Sequence, residues 1–148
     1  MAIQFNNIDT KIPKLQRNDI RSWVKNVAFQ YKKRVGEIAY IFCSDEEILR
    51  INREYLKHDY YTDIITFDYS EKDKISGDLF ISLDTVKSNS EQYNTDFIEE
   101  LHRVIIHGVL HLCGFKDKSP EDEKLMRQKE NEALALPHSL TLNSSAQK

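Results

Sequence analysis

The chain is poor in cysteine and has no long apolar run. Its 148 residues include only two cysteines, Cys43 and Cys113, which are too few for a disulfide framework. No stretch is long enough to span a membrane, and no basic segment followed by an apolar one opens the sequence. Internal repeats are also absent from the sequence. These absences argue against disulfide-stapled, membrane-spanning and repeat architectures, and they predict a protein of the reducing cytoplasm.

The composition is that of an ordinary globular domain. Hydrophobic residues make up 40% of the chain and charged residues 30%, proportions typical of soluble domains. A length of 148 residues suits one domain with a proper core. We therefore expect a single domain at residues 1–136. Residues 137–148 are polar and rich in serine, and we expect them to form a loose tail.

Positive charge is in the minority overall but is concentrated near the N-terminus. The formal net charge is −3. Residues 1–36 hold eight lysines and arginines against two acidic residues, a net charge of +6, so the remaining residues carry −9. A local basic face can follow phosphate groups even on an acidic protein. The alternative, which runs of charge more often represent, is a solvated helix face.

The apolar pattern predicts nine elements. Strands are expected at residues 2–7, 37–43, 63–69 and 77–83, and helices at residues 14–33, 44–55, 84–93, 96–113 and 119–134. The last two strands are close in sequence and should pair antiparallel. This order indicates an α+β fold: a small mixed β-sheet with surrounding helices and a central buried metal-bearing helix.

Capping residues mark several of these boundaries. Asp96 with Glu99, three positions later, predicts the start of the central helix, and Gly114 predicts its end. Ser44 opens a capping box, and Ser119 followed by Pro120 predicts the start of the last helix. We also expect Gly36 to end the first helix and Asp84 to cap the third.

The central helix carries two histidines on an otherwise apolar surface. His107 and His111 are four residues apart and therefore share one face, and Asp117 follows beyond the glycine turn. Three protein ligands would leave one position for water, as in catalytic zinc sites. The alternative is a pair of hydrogen-bonded core histidines, which an isolated HxxxH spacing more often indicates. Cys113 is a possible soft ligand, but a small buried thiol is the commoner case.

Gly108 follows the first histidine directly. Metalloproteases of the HExxH type place a glutamate at this position as their general base. The sequence therefore argues against an ordinary metallopeptidase.

Three motifs together resemble the YbeY family of bacterial metal-dependent endoribonucleases. HGVLHLCGFKD, which begins at His107, resembles the family signature HGxLHLxGxDH. INREYLKHDYYTDIITF at residues 51–67 resembles the family's LNxxYRxxDxPTDVLSF block, and the GDL beginning at Gly77 resembles its GDI. The resemblance covers residues 37–134. It implies a single-strand-specific endoribonuclease that acts in rRNA processing, including maturation of the 16S rRNA 3′ end, and in ribosome quality control.

The chain departs from the family pattern at the third ligand and at a cation. Asp117 stands where the family usually has a third metal-binding histidine, and Leu56 where it has an arginine. A carboxylate can still bind zinc, with some shift of preference toward harder metals. Arg53 or Lys57 would have to supply the missing cation. Tyr61 stands where proline is usual.

The resemblance implies a catalytic centre made of His107, His111, Arg53 and Lys57. His107, His111 and Asp117 would hold one Zn²⁺, or another divalent ion, that polarises a phosphoryl oxygen and activates water. Attack by the neighbouring ribose 2′-hydroxyl is the alternative route. In the cleft beside the helix we expect four polar residues: Thr62, Asp63, Thr66 and Asp78. For the two aspartates a turn or capping role is the plainer alternative.

Two other kinds of function fit the same residues. The first is a non-catalytic ribosome-assembly factor in which the metal stabilises the fold. The second is a metallohydrolase with a small-molecule substrate, for which the basic N-terminal face would have no role. The expected partners of the endoribonuclease are RNA, in particular rRNA, and the ribosome or one of its subunits, with no membrane.

Overall fold

A computed structural model describes residues 2–56 and 62–136. In this part of the chain, four strands and five helices follow one another in the predicted order. The strands are β1 (Ile3–Asn7), β2 (Arg34–Cys43), β3 (Ile64–Asp68) and β4 (Lys74–Ser82). The helices are α1 (Arg17–Gln30), α2 (Asp45–Ile51), α3 (Leu83–Gln92), α4 (Phe97–Leu112) and α5 (Pro120–Leu134), and a π-helical turn, Asn52–Leu56, extends α2.

The strands form a mixed sheet in the order β1-β2-β4-β3. β1 and β4 both run parallel to β2, whereas β3 runs antiparallel to β4. The α+β fold and the antiparallel pairing of the last two strands are therefore confirmed. No helix in the described residues is long and apolar enough to cross a membrane. The expected tail at residues 137–148 lies outside the described residues, and the single-domain boundary stays a prediction.

The main core lies between one face of the sheet and helices α1, α4 and α5. Alternate residues of β2 and β4 point into it, since a strand turns successive side chains to opposite faces. Tyr40 of β2 is fully buried there and donates a hydrogen bond to the Ile105 carbonyl of α4 at 3.2 Å. Trp23 of α1 donates to the Ala133 carbonyl at the end of α5 at 2.9 Å. The first hydrogen bond joins the sheet to α4, and the second joins α1 to α5. The opposite face of the sheet packs a smaller apolar cluster against α2.

The expected end of the first helix is wrong, because a lysine takes the place expected for glycine. α1 ends at Gln30, and Lys32 adopts φ +60°. The Lys32 amide donates a hydrogen bond to the Phe29 carbonyl, and the Lys33 amide donates one to the Ala28 carbonyl. These are the paired hydrogen bonds of a Schellman motif. Gly36 lies inside β2 instead.

α1 also begins at Arg17, three residues after its expected start. The other four helices start where their sequence signals predict, with one exception. The side chains of Ser44 and Ser119 accept hydrogen bonds from amides three residues on, as predicted. Asp96 occupies the cap position of α4 but its side chain makes no capping hydrogen bond. The exception is α3, which is capped by Ser82 and not by Asp84. Asp84 lies in the first turn, where a carboxylate favours the helix dipole.

Candidate metal centre and cleft

The turn after α4 brings Asp117 back beside His107. Gly114 adopts a φ angle of +111°. Its amide donates a hydrogen bond to the His111 carbonyl at 3.0 Å, and the Phe115 amide donates one to the Leu110 carbonyl at 3.1 Å. This Schellman motif reverses the chain, as predicted from the glycine. Asp117 is thereby returned toward the helix, and its Oδ2 atom lies 3.2 Å from Nε2 of His107.

His107, His111 and Asp117 line one cleft of about 290 Å³. The other described lining residues come from the π-helical turn and from β3 with the two residues before it: Asn52, Leu56, Thr62, Asp63, Ile64, Ile65 and Thr66. Thr62, Asp63 and Thr66 therefore lie where we expected them. Among residues 2–56 and 62–136, no three His, Cys, Asp or Glu side chains already form a complete ligand set. The pair in contact is His107 with Asp117, and His111 lies in the same cleft.

Glu130 of α5 fixes the orientation of the His107 ring. Its Oε2 atom lies 2.7 Å from His107 Nδ1, and its Oε1 atom accepts a hydrogen bond from Arg103 at 2.8 Å. Burial by itself would raise the pKa of Glu130, but the bonds from His107 and Arg103 outweigh it and hold that pKa below its ordinary value. An ionised Glu130 accepts a hydrogen bond from Nδ1–H, which leaves the Nε2 atom on the cleft side of the ring.

Sequence reasoning missed Glu130 and Arg103. Glu130 is 23 residues from His107 and lies on another helix, so no local spacing connects them. A sequence signal does exist, since Glu130 is a carboxylate on the apolar face of α5, together with Met126 and Ala133. A buried acid at such a position needs a partner.

A second cleft of about 550 Å³ adjoins the first on the α5 side of His107. Asp63, His107 and Asp117 line both clefts. Burial raises the pKa of Asp63 and of Glu100, two carboxyls that face this second cleft. Burial by itself lowers the pKa of His107, but its hydrogen bond to Glu130 and the surrounding acids raise it overall. His107 is thus surrounded by three acidic side chains, Glu130, Asp63 and Asp117.

Of the two cations predicted from the upstream block, the structure describes only Arg53. Arg53 is exposed on the π-helical turn and is not among the described residues that line the cleft. Leu56, which replaces the family's arginine, does line it. Lys57 lies outside the described residues. The role of Arg53 or Lys57 therefore stays a prediction. In the second cleft the lining cations are Arg103, Lys124 and Arg127.

Asp78 lies on the opposite face of the sheet from His107, so its expected place in the cleft is wrong. Its β4 neighbours Gly77 and Leu79 are buried toward α4, and a strand alternates its faces. Asp78 therefore points the other way, where it accepts a 3.4 Å hydrogen bond from the Tyr69 hydroxyl.

Gly108 lies at a close approach of α4 to the sheet. A Cβ atom at this position would lie 3.0 Å from Ile64 Cδ1 and 3.2 Å from Leu79 Cδ1. We expect Gly108→Ala to change the unfolding free energy by less than about 1 kcal/mol, since the gain in helix propensity offsets the contact with movable methyl groups. Gly108→Glu should cost roughly 3 kcal/mol or more, because it buries a carboxylate in an apolar layer.

Urea denaturation of the two variants beside the wild-type protein measures this difference. Equal stability of Gly108→Glu and Gly108→Ala would contradict it. The expected result also explains why a protease-type glutamate is not accommodated after His107.

The cysteines show no sign of a role as ligands. Both are free, Cys43 is buried, and burial raises the pKa of Cys113 to about 11. A thiol with a raised pKa is a poor metal ligand, because the thiolate is the binding form. Cys113 is also not among the described residues that line the first cleft.

Together, the fold and the cleft define an α+β protein with an enzyme-type site built on a two-histidine helix. Comparison with known proteins gives the particular family. A sequence model of the family Endoribonuclease YbeY matches residues 2–136. A protein of Bacteroides fragilis named Endoribonuclease YbeY is 60% identical over 136 residues, covering 92% of this chain and 98% of that protein. One of Bacteroides thetaiotaomicron with the same name is 57% identical over 92% of this chain and 99% of its own length.

The chain belongs to the Endoribonuclease YbeY family. The solution structure of TM1509 from Thermotoga maritima shares the fold, with a TM-score of 0.61 and 23% sequence identity. That match covers 89% of this chain and 86% of the Thermotoga protein. The resemblance inferred from three short motifs is confirmed over nearly the whole described chain.

Proposed function

We propose that this protein cleaves RNA with a divalent metal ion held by His107, His111 and Asp117, and that its substrate is ribosomal RNA. Endoribonuclease activity follows from membership of the family. The observation that carries the metal is the convergence of two imidazoles and a carboxylate on one cleft, with Glu130 orienting the first imidazole. Glu130 binds Nδ1 of the half-buried His107 ring, so Nε2 is the nitrogen that would bind the metal ion.

The donor set suits zinc. Two ligands that each lie about 2.0–2.1 Å from a tetrahedral zinc ion are about 3.3 Å apart, and His107 Nε2 and Asp117 Oδ2 are 3.2 Å apart. A carboxylate behind a ligating histidine is the usual support of such a site. His111 lines the same cleft, so its imidazole would be the third ligand. Because Asp117 is a harder ligand than histidine, another divalent metal is also compatible.

When bound, such an ion supplies a Lewis acid and a water molecule of lowered pKa for phosphodiester hydrolysis. The chain's own groups would then position the substrate. The hydroxyl groups of Thr62 and Thr66 line the cleft and can donate hydrogen bonds to phosphate oxygens. Burial raises the pKa of Asp63, whose side chain lines both clefts together with His107. Arg53 and Lys57 remain the candidates for neutralising phosphate charge.

The cellular setting follows from the same proposal. An enzyme that processes rRNA would act on single-stranded segments of precursor rRNA, including the 3′ end of 16S rRNA, and would meet the ribosome or its subunits. We also propose that it works in the cytoplasm. Two free thiols and the absence of a membrane-crossing helix in the described residues are compatible with that compartment.

Cleavage of a single-stranded rRNA 3′-end fragment tests the proposal. We expect purified protein to cut this fragment with zinc or manganese present and to lose at least about 100-fold in rate with EDTA. A fully base-paired version of the fragment is the matched control and should be cut far more slowly. Cleavage that is equal with and without EDTA would contradict a metal-dependent enzyme.

A second substrate separates the two chemical routes. If a fragment with 2′-deoxyribose at the cleavage site is still cut, the attacking group is water and not the neighbouring 2′-hydroxyl. If wild-type protein of full metal content cuts no RNA, the activity is absent and a non-catalytic role in ribosome assembly takes its place.

A further inference from the structure

The exposed side of α1 carries a row of positive side chains that the proposed chemistry does not use. Arg17, Arg21 and Lys25 follow one another at four-residue spacing, so they form one ridge with a rise of about 6 Å between neighbours. Phe29 is the next member of that row, and 79% of its surface is exposed. Lys32 and Lys33 follow directly after the helix. We call these six residues the α1 ridge.

Two of its cations are held in place. The Arg21 Nε atom donates to the Ile3 carbonyl of β1 at 3.0 Å, and the guanidinium groups of Arg17 and Arg21 lie 5.9 and 5.2 Å from the centre of the Phe5 ring. Arg21 also donates to Asn18 Oδ1 at 2.9 Å, and none of these three partners is an acid. Cations that are already ordered lose little side-chain entropy when they bind an anion.

The charge around the ridge differs in sign from that of the rest of the chain. Residues 1–36 carry a net +6 and the remaining residues −9, so this part of the chain attracts a polyanion most strongly. The exposed Phe29 adds an aromatic face. Aromatic faces beside cations are the common means of holding single-stranded nucleic acid, because bases of any sequence stack on them.

The ridge leads toward the proposed metal centre. Just after α1, the Tyr31 ring packs edge-on against Phe115, with centroids 5.0 Å apart. Cys113 and Phe115 belong to the turn that carries Asp117, and the exposed Lys116 and Lys118 flank Asp117. Positive side chains thus continue from the ridge to the mouth of the first cleft.

We propose that the α1 ridge is a second RNA-binding surface, which holds the phosphate backbone of a single-stranded segment outside the cleft while another segment occupies the cleft. The substrate class rests on the proposed function. The ridge supplies affinity and orientation, and its side chains do not touch the reacting phosphate.

The test compares a long and a short RNA. We expect Lys25→Glu/Lys32→Glu/Lys33→Glu to bind a single-stranded RNA of about 20 nucleotides roughly tenfold or more weakly, with a log Kd–log salt slope shallower by about 2. An oligonucleotide of about four nucleotides, which fills only the cleft, should bind and react unchanged. With the long RNA, KM should rise while kcat stays the same.

The matched control is the pair of single variants Lys25→Glu and Lys87→Glu. Both lysines are exposed within helices, on α1 and α3 respectively, and each substitution changes the net charge by the same amount. Only Lys25→Glu should weaken binding of the long RNA. Equal losses of RNA affinity in the two single variants, or no loss in the triple variant, would overturn the proposal that the α1 ridge binds RNA.

Binding is measured by fluorescence anisotropy in EDTA, with every ridge substitution made in the His111→Ala variant. The RNA is then not cleaved during the measurement. The ridge and the activity are therefore tested separately. If wild-type protein proves inactive but ridge substitutions still weaken binding, the RNA surface stands and the enzymatic proposal fails.

Discussion

Asp117→Ala and His111→Ala should each lose the bound metal ion and RNA cleavage together, with rates down by at least about 100-fold. Each removes one of the three side chains that line the first cleft as candidate ligands. Two remaining protein ligands are too few for a stable zinc site, which uses three ligands plus water. Two measurements on the same preparations check this prediction. Elemental mass spectrometry gives the metal content, and an assay with the single-stranded rRNA fragment gives the cleavage rate.

Asp117→His gives the complementary measurement. It restores the histidine that the family usually has at this position, so we expect it to keep metal and cleavage and to bind zinc more tightly. Asp73→Ala is the control for loss of a carboxylate. Asp73 is exposed and forms a surface ion pair with Arg34, which contributes little to stability. Retention of full metal content by Asp117→Ala would show that Asp117 is not a ligand.

The second large effect that we expect is a loss of stability in Glu130→Ala. The substitution leaves the half-buried side chains of His107 and Arg103 without their hydrogen-bond acceptor. Glu130 is 5% exposed and accepts hydrogen bonds from both His107 and Arg103. Removal of one partner from a buried charged network typically costs several kcal/mol, and we expect roughly 2–4 kcal/mol here since Arg103 is partly exposed. Urea denaturation of the metal-free protein measures this change.

Glu130→Gln separates orientation of the histidine from stability. The amide keeps the size of the side chain, so the fold should suffer less, but it cannot accept both bonds as an ion does. We expect metal affinity to fall about 10- to 100-fold, as measured by competition with a chelator and by the absorption spectrum of the Co²⁺ form. The control is Glu132→Gln on the exposed face of α5. If folded Glu130→Gln binds metal as tightly as the wild-type protein, Glu130 does not position His107.

Local signals in the sequence predicted most of the fold. The serine caps at Ser44 and Ser119 and the glycine at Gly114 are short-range features, in which a side chain or a backbone conformation satisfies nearby helix ends. The prediction failed where another residue performed the same local task. Lys32 adopts the left-handed conformation expected of glycine, and Ser82 caps the helix expected to start at Asp84.

The site was predictable in part for the same reason. His107, His111 and Asp117 lie within eleven consecutive residues, on one helix and the turn that follows it, so their spacing alone places them together. Asp78 was misplaced although period-2 alternation along β4, with Gly77 and Leu79 buried, indicates its direction.

The element order, the family and the three candidate ligands could be predicted from short motifs, because each motif consists of residues close together in the chain. The groups that surround the ligands depend on tertiary packing. Glu130 reaches His107 from another helix, and the α1 ridge approaches the Asp117 turn through the Tyr31–Phe115 contact. These contacts join residues far apart in sequence, and they depend on how α1, α4 and α5 pack around a shared core, which local spacing does not encode.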